Sequence, residues 1–312
     1  HGAPLPRPEF RRRRGRLRHP VELAAVLLQP DGKRVQYFIP YNKSKFTAAR
    51  DKPEVTIGKN TLRVKQQNGE LPVYEIDVQE KGLGCHLRYT AEVNGWKPGT
   101  GLSQFGNLGY FGWVIPFARA SVEGTITDGD KTIQVKGIGY HDHNWMNKGM
   151  AHLVDHWYWG RGQVGPYSFV TAYITAAKQY SYTTFPLYML ARDGKVIADD
   201  GTKVAFSRSG SQIDEHTGKP VPDAICFDYR DGDTRYVLTY TRQKTLVTQK
   251  FLDLASGVQK LVAELLRYPG GYLRFSGPVK LDRYQGGELV EHYEETGSFE
   301  ECYQASEIHG DQ

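Results

Sequence analysis

A chain of 312 residues with 39% hydrophobic and 12% aromatic side chains is long enough for two ordinary domains, or one large one, around a sizeable core. Its formal charge of +5 is concentrated in residues 1–20, where seven arginines face one glutamate, so the rest of the chain carries one net negative charge. A nearly neutral body excludes a nucleic-acid-binding face and leaves only that basic arm, read as solvated and disordered, to meet an anionic surface. Cys85, Cys226 and Cys302 are far apart, with neither metal spacing nor a disulfide framework, so the expected compartment is reducing and cytoplasmic. No apolar run approaches the ~18 residues that span a bilayer, and residues 21–28 are too short and charged for a signal-peptide core.

In chain order, residues 23–28 and 35–39 predict a hairpin turned by Pro30-Asp31-Gly32-Lys33. Strands follow at 55–57, 61–64, 74–78 and 85–93, the last two alternating cleanly between apolar and polar positions. The Gly/Pro-rich stretch 95–109 is too long for a hairpin loop and is expected to fold over a cavity mouth. Residues 110–115, 120–127 and 132–140 are strands, the last two joined by Asp128-Gly129-Asp130. Beyond them, 157–164, 167–176 and 184–191 are strands, and Arg192-Asp193-Gly194-Lys195 turns the third into Val196-Ile197. A polar stretch at 207–222 reads as loop; 225–229, 235–241 and 245–253 read as strands, 261–268 as helix or strand, and 272–275, 279–284 and 288–299 as closing strands. Strands at short intervals without an amphipathic helix predict an all-β chain of antiparallel barrels or sandwiches. The boundary is expected in Met146–His152, just after the Tyr140–Trp145 stretch, giving an arm over 1–20 and barrels over 21–148 and 149–312.

Chemistry-bearing residues converge at Gly137-Ile138-Gly139-Tyr140-His141-Asp142-His143-Asn144-Trp145 and at Asp155-His156-Trp157-Tyr158-Trp159-Gly160-Arg161. On strands, His141 and His143 share one face and Asp142 and Asn144 the other, while Asp155, Trp157 and Trp159 alternate against His156, Tyr158 and Gly160. Imidazoles and carboxylates among indoles and phenols describe an apolar cavity with a few oriented polar contacts. The same residues also suit a structural role, because buried His–Asp pairs satisfy one another between sheets. No metal site is expected from His141, His143, Asp155 and His156, since Asp155 and His156 are adjacent and would point to opposite faces. No Gly-x-Ser-x-Gly elbow supports serine hydrolysis.

These two stretches resemble the hallmark of the carotenoid 1,2-hydratase (hydroxyneurosporene synthase) superfamily, which includes the AttH-like double lipocalins and fungal Diels–Alderases. The similarity runs from about Leu23 to Tyr303 and includes Glu300-Glu301-Cys302-Tyr303. It implies two lipocalin-like antiparallel β-barrels packed together, with no metal and no organic cofactor. Two departures stand out: no Trp-Tyr-Phe-Asp-like first strand precedes Leu23, and the Tyr-x-Asp expected of the hydratases reads Thr171-Ala172-Tyr173. Alkene hydration needs a strong acid, whereas a pericyclic closure needs mainly positioning and a donor to polarise the substrate. The leading expectation is therefore a cofactor-independent cyclase of the Diels–Alderase type acting on a hydrophobic polyene, polyketide or terpenoid. A hydratase or isomerase, and a non-catalytic carrier, are the alternatives. The candidate catalytic residues are His143, Tyr173 and Asp155; the candidate substrate-binding residues are Tyr140, His141, Trp145, Trp157, Tyr158, Trp159 and Arg161.

Overall fold

The computed structural model describes residues 21–29, 33–66, 71–107, 109–254 and 270–304. The basic arm, most of the first turn and the ambiguous 261–268 stretch lie outside the described residues. The chain is all-β and antiparallel, and it divides into two compact units. Of the described residues, those up to 89 and 122–136 belong to the first, and those of 90–121 and from 137 onward belong to the second.

In the first unit, β1 (Val21–Leu28) and β2 (Arg34–Tyr41) form a two-stranded sheet and, among the described residues, pair only with each other. Then β3 (Phe46–Ala48), β4 (Val55–Ile57), β5 (Asn60–Gln66), β6 (Val73–Glu80) and β7 (Leu83–Ala91) pair in sequence order. Each is joined to the next by a short connection, the economical route for antiparallel strands. After β8 (Leu102–Phe105), the long strands β9 (Gly109–Asp128) and β10 (Lys131–Met146) return their hairpin end, 122–136, to this unit. Gly124 is needed there: its φ is +142° and a Cβ would lie 2.0 Å from the carbonyl oxygen of His86.

The remaining halves of β9 and β10 fall in the second unit, with helix α1 (Met150–Leu153). β11 (Val154–Val164), β12 (Tyr167–Ala176), β13 (Thr184–Arg192), β14 (Lys195–Ala198) and β15 (Val204–Ser209) follow. The stretch expected as loop holds the end of β15 and a two-residue ladder of β16 (Gln212–Ile213) and β17 (Pro220–Val221). Asp214 supports it by accepting from the backbone and hydroxyl of Thr217. β18 (Ala224–Asp231), β19 (Thr234–Thr241), β20 (Lys244–Lys250), β21 (Gly271–Gln285) and β22 (Glu288–Tyr303) complete the chain. The main sheet runs β14-β13-β12-β11-β22-β21-β19-β18-β15 and curls until β13 lies beside β15.

The inner face of that sheet carries Tyr158, Phe169, Tyr188, Phe227, Tyr240, Phe275 and Phe299, all at most 2% exposed. The room for these rings comes partly from Gly160, where a Cβ would sit 2.6 Å from the Tyr240 ring. A second apolar cluster joins β9, α1, β12 and β13 through Trp113, Ile115, Leu153, Ile174 and Met189. The stretch 95–109 is not a lid. Trp96 bridges to Ile115, and Phe105 is 3% exposed within this second cluster. Its two large aromatics gain more by burial than they would over an open mouth.

Candidate functional site

Strand alternation sorts the two motif stretches into faces. Tyr140, Asp142, Asn144 and Met146 of β10 and Trp157, Trp159 and Arg161 of β11 line one cavity of about 530 Å³ in the second unit. Phe111 and Trp113 of β9, Met150 of α1, and Ala172 and Ile174 of β12 supply its apolar walls. Arg274 of β21 and Glu300 of β22 complete it. The sheet register explains how residues so distant in sequence meet. Glu300 stands opposite both Trp159 on β11 and Arg274 on β21, so the three form one cross-strand row.

Two carboxylates organise the polar contacts. Asp142 Oδ2 accepts from Trp113 Nε1 at 2.9 Å and from Tyr140 Oη at 3.0 Å. Tyr140 meets Trp159 edge-on at 5.5 Å, and the Arg161 guanidinium lies 4.7 Å from the centre of its ring. Burial, then the neighbouring Asp142 charge, holds the Tyr140 phenol far above its ordinary range, so it remains a donor. Glu300 accepts from Tyr272 Oη at 2.5 Å, from Arg274 Nη2 at 2.8 Å and from Trp157 Nε1 at 3.4 Å. Burial and then Glu300 push the Tyr272 phenol well up as well. For Arg274, burial works against the charge, but Tyr272 and Glu300 outweigh it and raise the guanidinium further. Each acid thus has oriented partners, and the cavity combines fixed dipoles with aromatic walls.

Of the residues singled out from sequence, Tyr140, Trp157, Trp159 and Arg161 are brought together here. The others do not line this cavity. His141, His143 and Trp145 are odd-numbered on β10 and take its opposite face: His141 lies 6.1 Å from Phe117, and exposed His143 stacks on Trp145 at 5.5 Å. Trp145 covers Gly112, where a Cβ would lie 2.1 Å from its indole. Burial lowers the His141 imidazole, which favours its neutral form. Tyr158 and Tyr173 point to the sheet's inner face, where Tyr173 stacks on Phe206 at 4.0 Å.

Asp155 differs from the expected alternation for a local reason. The register between β11 and β12 slips by one residue between Val154 and His156, a β-bulge that lets adjacent side chains meet. Asp155 Oδ1 therefore lies 2.8 Å from His156 Nδ1, and both residues are buried. The premise that the two must point apart is corrected by that bulge. Among the described residues, no cluster of three or more His, Cys, Asp or Glu side chains could hold a metal ion. No described helix is long and apolar enough to cross a membrane.

Asp142 was legible as the partner face of Tyr140, given that Tyr140 faces the cavity. Glu300, Arg274 and Tyr272 carried no local signal, because only the β11–β22–β21 register brings them to the two tryptophans.

The family model described as Diels-Alderase-like matches residues 89–250. The chain belongs to the Diels-Alderase-like family. It is 34% identical over 107 residues to the quinolone epoxide rearrangement protein penF of Penicillium thymicola, covering 32% of this chain and 29% of that protein. It is 25% identical over 178 residues to the quinolone epoxide rearrangement protein asqO of Emericella nidulans, covering 54% of this chain and 46% of the relative. The chain thus spans less than half the length of these curated relatives. The crystal structure of CghA matches the fold with a TM-score of 0.63 at 13% identity, covering 92% of this chain and 81% of that one. A putative AttH from Nitrosomonas europaea matches with a TM-score of 0.55 at 13% identity, over 88% and 77% of the two chains. These likenesses identify both antiparallel units as lipocalin-like.

Proposed function

We propose that this chain is a cofactor-independent cyclase or rearrangement enzyme of natural-product biosynthesis, and that the aromatic cavity of the second unit is its active site. The observation that carries this reading is the Trp159–Glu300–Arg274 row set against Tyr140 and Asp142 in one cavity. A flexible polyene held between Trp157, Trp159, Phe111 and Ile174 would lose the unreactive folds it samples in water. Such positioning can contribute up to ~7–11 kcal/mol to lowering a barrier. A guanidinium donor of the Arg274 type, which lines the cavity, would polarise a substrate carbonyl as charge builds in the transition state. A Diels–Alder-type closure requires no more than this, since bonds form without an obligatory proton transfer.

In this reading Tyr140, Trp157, Trp159 and Arg161 touch the substrate, and His143, Tyr173 and Asp155 have no direct contact with it. A second reading is favoured by the two carboxylates. Asp142 and Glu300 line the cavity, where position 173 does not, and this suits a proton-assisted rearrangement or hydration. The two relatives named for quinolone epoxide rearrangement agree with that chemistry.

Incubation with a linear polyene bearing a conjugated carbonyl, and separately with a quinolone epoxide, distinguishes them by chiral chromatography and mass spectrometry. Accelerated, stereoselective ring closure without change of mass supports the first. Epoxide opening, or gain of water, supports the second. Retention of both compounds unchanged leaves a carrier and overturns both.

A further inference from the structure

Immediately after Glu300, the chain places a second acid on the opposite face of β22. Glu301 is 0% exposed, and its cross-strand neighbours are Tyr158 on β11 and Leu273 on β21. Neither of its carboxyl oxygens makes a hydrogen bond of good geometry among the described residues. Two phenols lie near it: Tyr303 Oη, which donates to the carbonyl of Pro220, and Tyr158 Oη, which accepts from Arg208 Nη1 at 3.3 Å. The groups facing it are His156 and Tyr158 from β11, Arg208 from β15 and Tyr303 from β22, and its cross-strand partner on β21 is apolar Leu273. Lys219, 5% exposed, lies 5.3 Å from the centre of the Tyr303 ring, and His156 lies 6.3 Å from it. His156 is itself fixed by Asp155 and by Thr175 Oγ1, 3.3 Å from its Nε2.

These residues do not line the cavity, yet three of them are one residue from its wall. Glu301 follows Glu300, and His156 and Tyr158 flank Trp157. A strand cannot move one of its faces without moving the other. We propose that Glu301 is a positioning residue whose gain or loss of a proton alters how β22 and β11 present Glu300 and Trp157 to the cavity. A neutral carboxyl puts no charge into this buried site. An ionised one draws toward Tyr303, Tyr158, His156 and Arg208, the groups that favour its charged form.

Burial pushes the Glu301 carboxyl up to about 7, against the pull of those neighbours. An unfolded glutamate releases its proton near ~4.3. Between the two, the folded chain keeps a proton that the unfolded chain has lost. The stability this group contributes is therefore whole below ~4.3 and is lost as pH rises through about 7.

All five tryptophans, at 96, 113, 145, 157 and 159, lie in the second unit, so intrinsic fluorescence of the whole chain reports on it without substrate. The expected result is an emission change centred near pH 7 that coincides with titration of one glutamate carboxyl followed by carbon-13 NMR. Glu301→Gln should abolish the emission change and flatten the fall in Tm between pH 5 and 8, whereas Glu300→Gln should retain that fall. An unaltered transition in Glu301→Gln, or no glutamate titrating near neutrality in the wild type, would overturn the proposal. If Glu301→Gln fails to fold, coincidence of the NMR and fluorescence midpoints in the wild type decides it. The inference rests on the proposed active site only for its effect on turnover. A chain inactive on polyenes and epoxides would leave these readouts intact.

Discussion

The two faces of β11 and β22 use the same residue types for opposite ends. On the cavity face, Trp157 and Trp159 are only partly enclosed, and buried Glu300 has three donors. On the inner face, Tyr158 and Glu301 are fully enclosed, and the carboxyl lacks a well-formed partner. Rings on the inner face fill space at crystal-like density, whereas rings on the other face border an opening. The lesson is that a motif dense in aromatics and acids is a sandwich of two environments. Every second residue of Asp155–Arg161 holds the core, and the residues between them are available to a ligand.

The strongest way to break this comparison is to truncate one ring on each face. Tyr158→Ala should cost ~3–5 kcal/mol of stability and lower Tm sharply, because a fully buried ring leaves a cavity behind. Trp159→Ala should leave Tm within a few degrees but lower turnover ~100-fold, since the substrate loses the wall that orients it. Thermal unfolding and single-turnover product formation read the pair; equal losses of stability would collapse the distinction between the faces.

A smaller effect is expected at the acid of the cavity face. Glu300→Gln weakens the charge-assisted bonds from Arg274 and Tyr272 and should lower kcat/KM ~10–100-fold with the fold intact. A loss confined to KM would point to simple binding, and a change in the pH profile to proton transfer.

On β10 the comparison sharpens further. Trp145→Ala uncovers Gly112 behind the cavity wall and should cost roughly 2 kcal/mol, less than a fully buried ring. His143→Gln, exposed and on the same outer face, should change both Tm and turnover by less than about twofold in equilibrium or rate. A His143→Gln enzyme that is inactive yet folded would move the chemistry to that face. Smallest of all, exhaustive chelation is expected to leave turnover unchanged. Its loss and restoration by one divalent ion would contradict a positioning mechanism.

Much of the architecture was legible. Turn residues such as Asp128-Gly129-Asp130 and clean alternation over 85–93 read directly as antiparallel strands, because those signals depend on near neighbours. Long β9 was read as two strands, since Pro116 and Phe117 resemble a break when the sheet that continues through them is not in view. The cavity was half legible. Tyr140, Trp157, Trp159 and Arg161 lie inside the motif stretches and were found. His143 and Trp145 were grouped with them because alternation separates the faces of a strand without saying which one borders a cavity.

What the sequence determined by itself is period and composition: strands, their turns, the two stretches where acids and aromatics gather, and the family to which they point. These follow from local sterics and from hydrophobic alternation, which act over a few residues. The tertiary structure alone decided three things. It chose the even-numbered face of β10 for the cavity, it put a bulge at Asp155 that turns that carboxylate onto His156, and it brought Glu300 and Arg274 across the sheet to Trp159. Each depends on strand register between segments more than a hundred residues apart or on a one-residue slip. A one-residue change of register exchanges every side chain between the two faces, and it is the packing of the whole sheet that selects among registers.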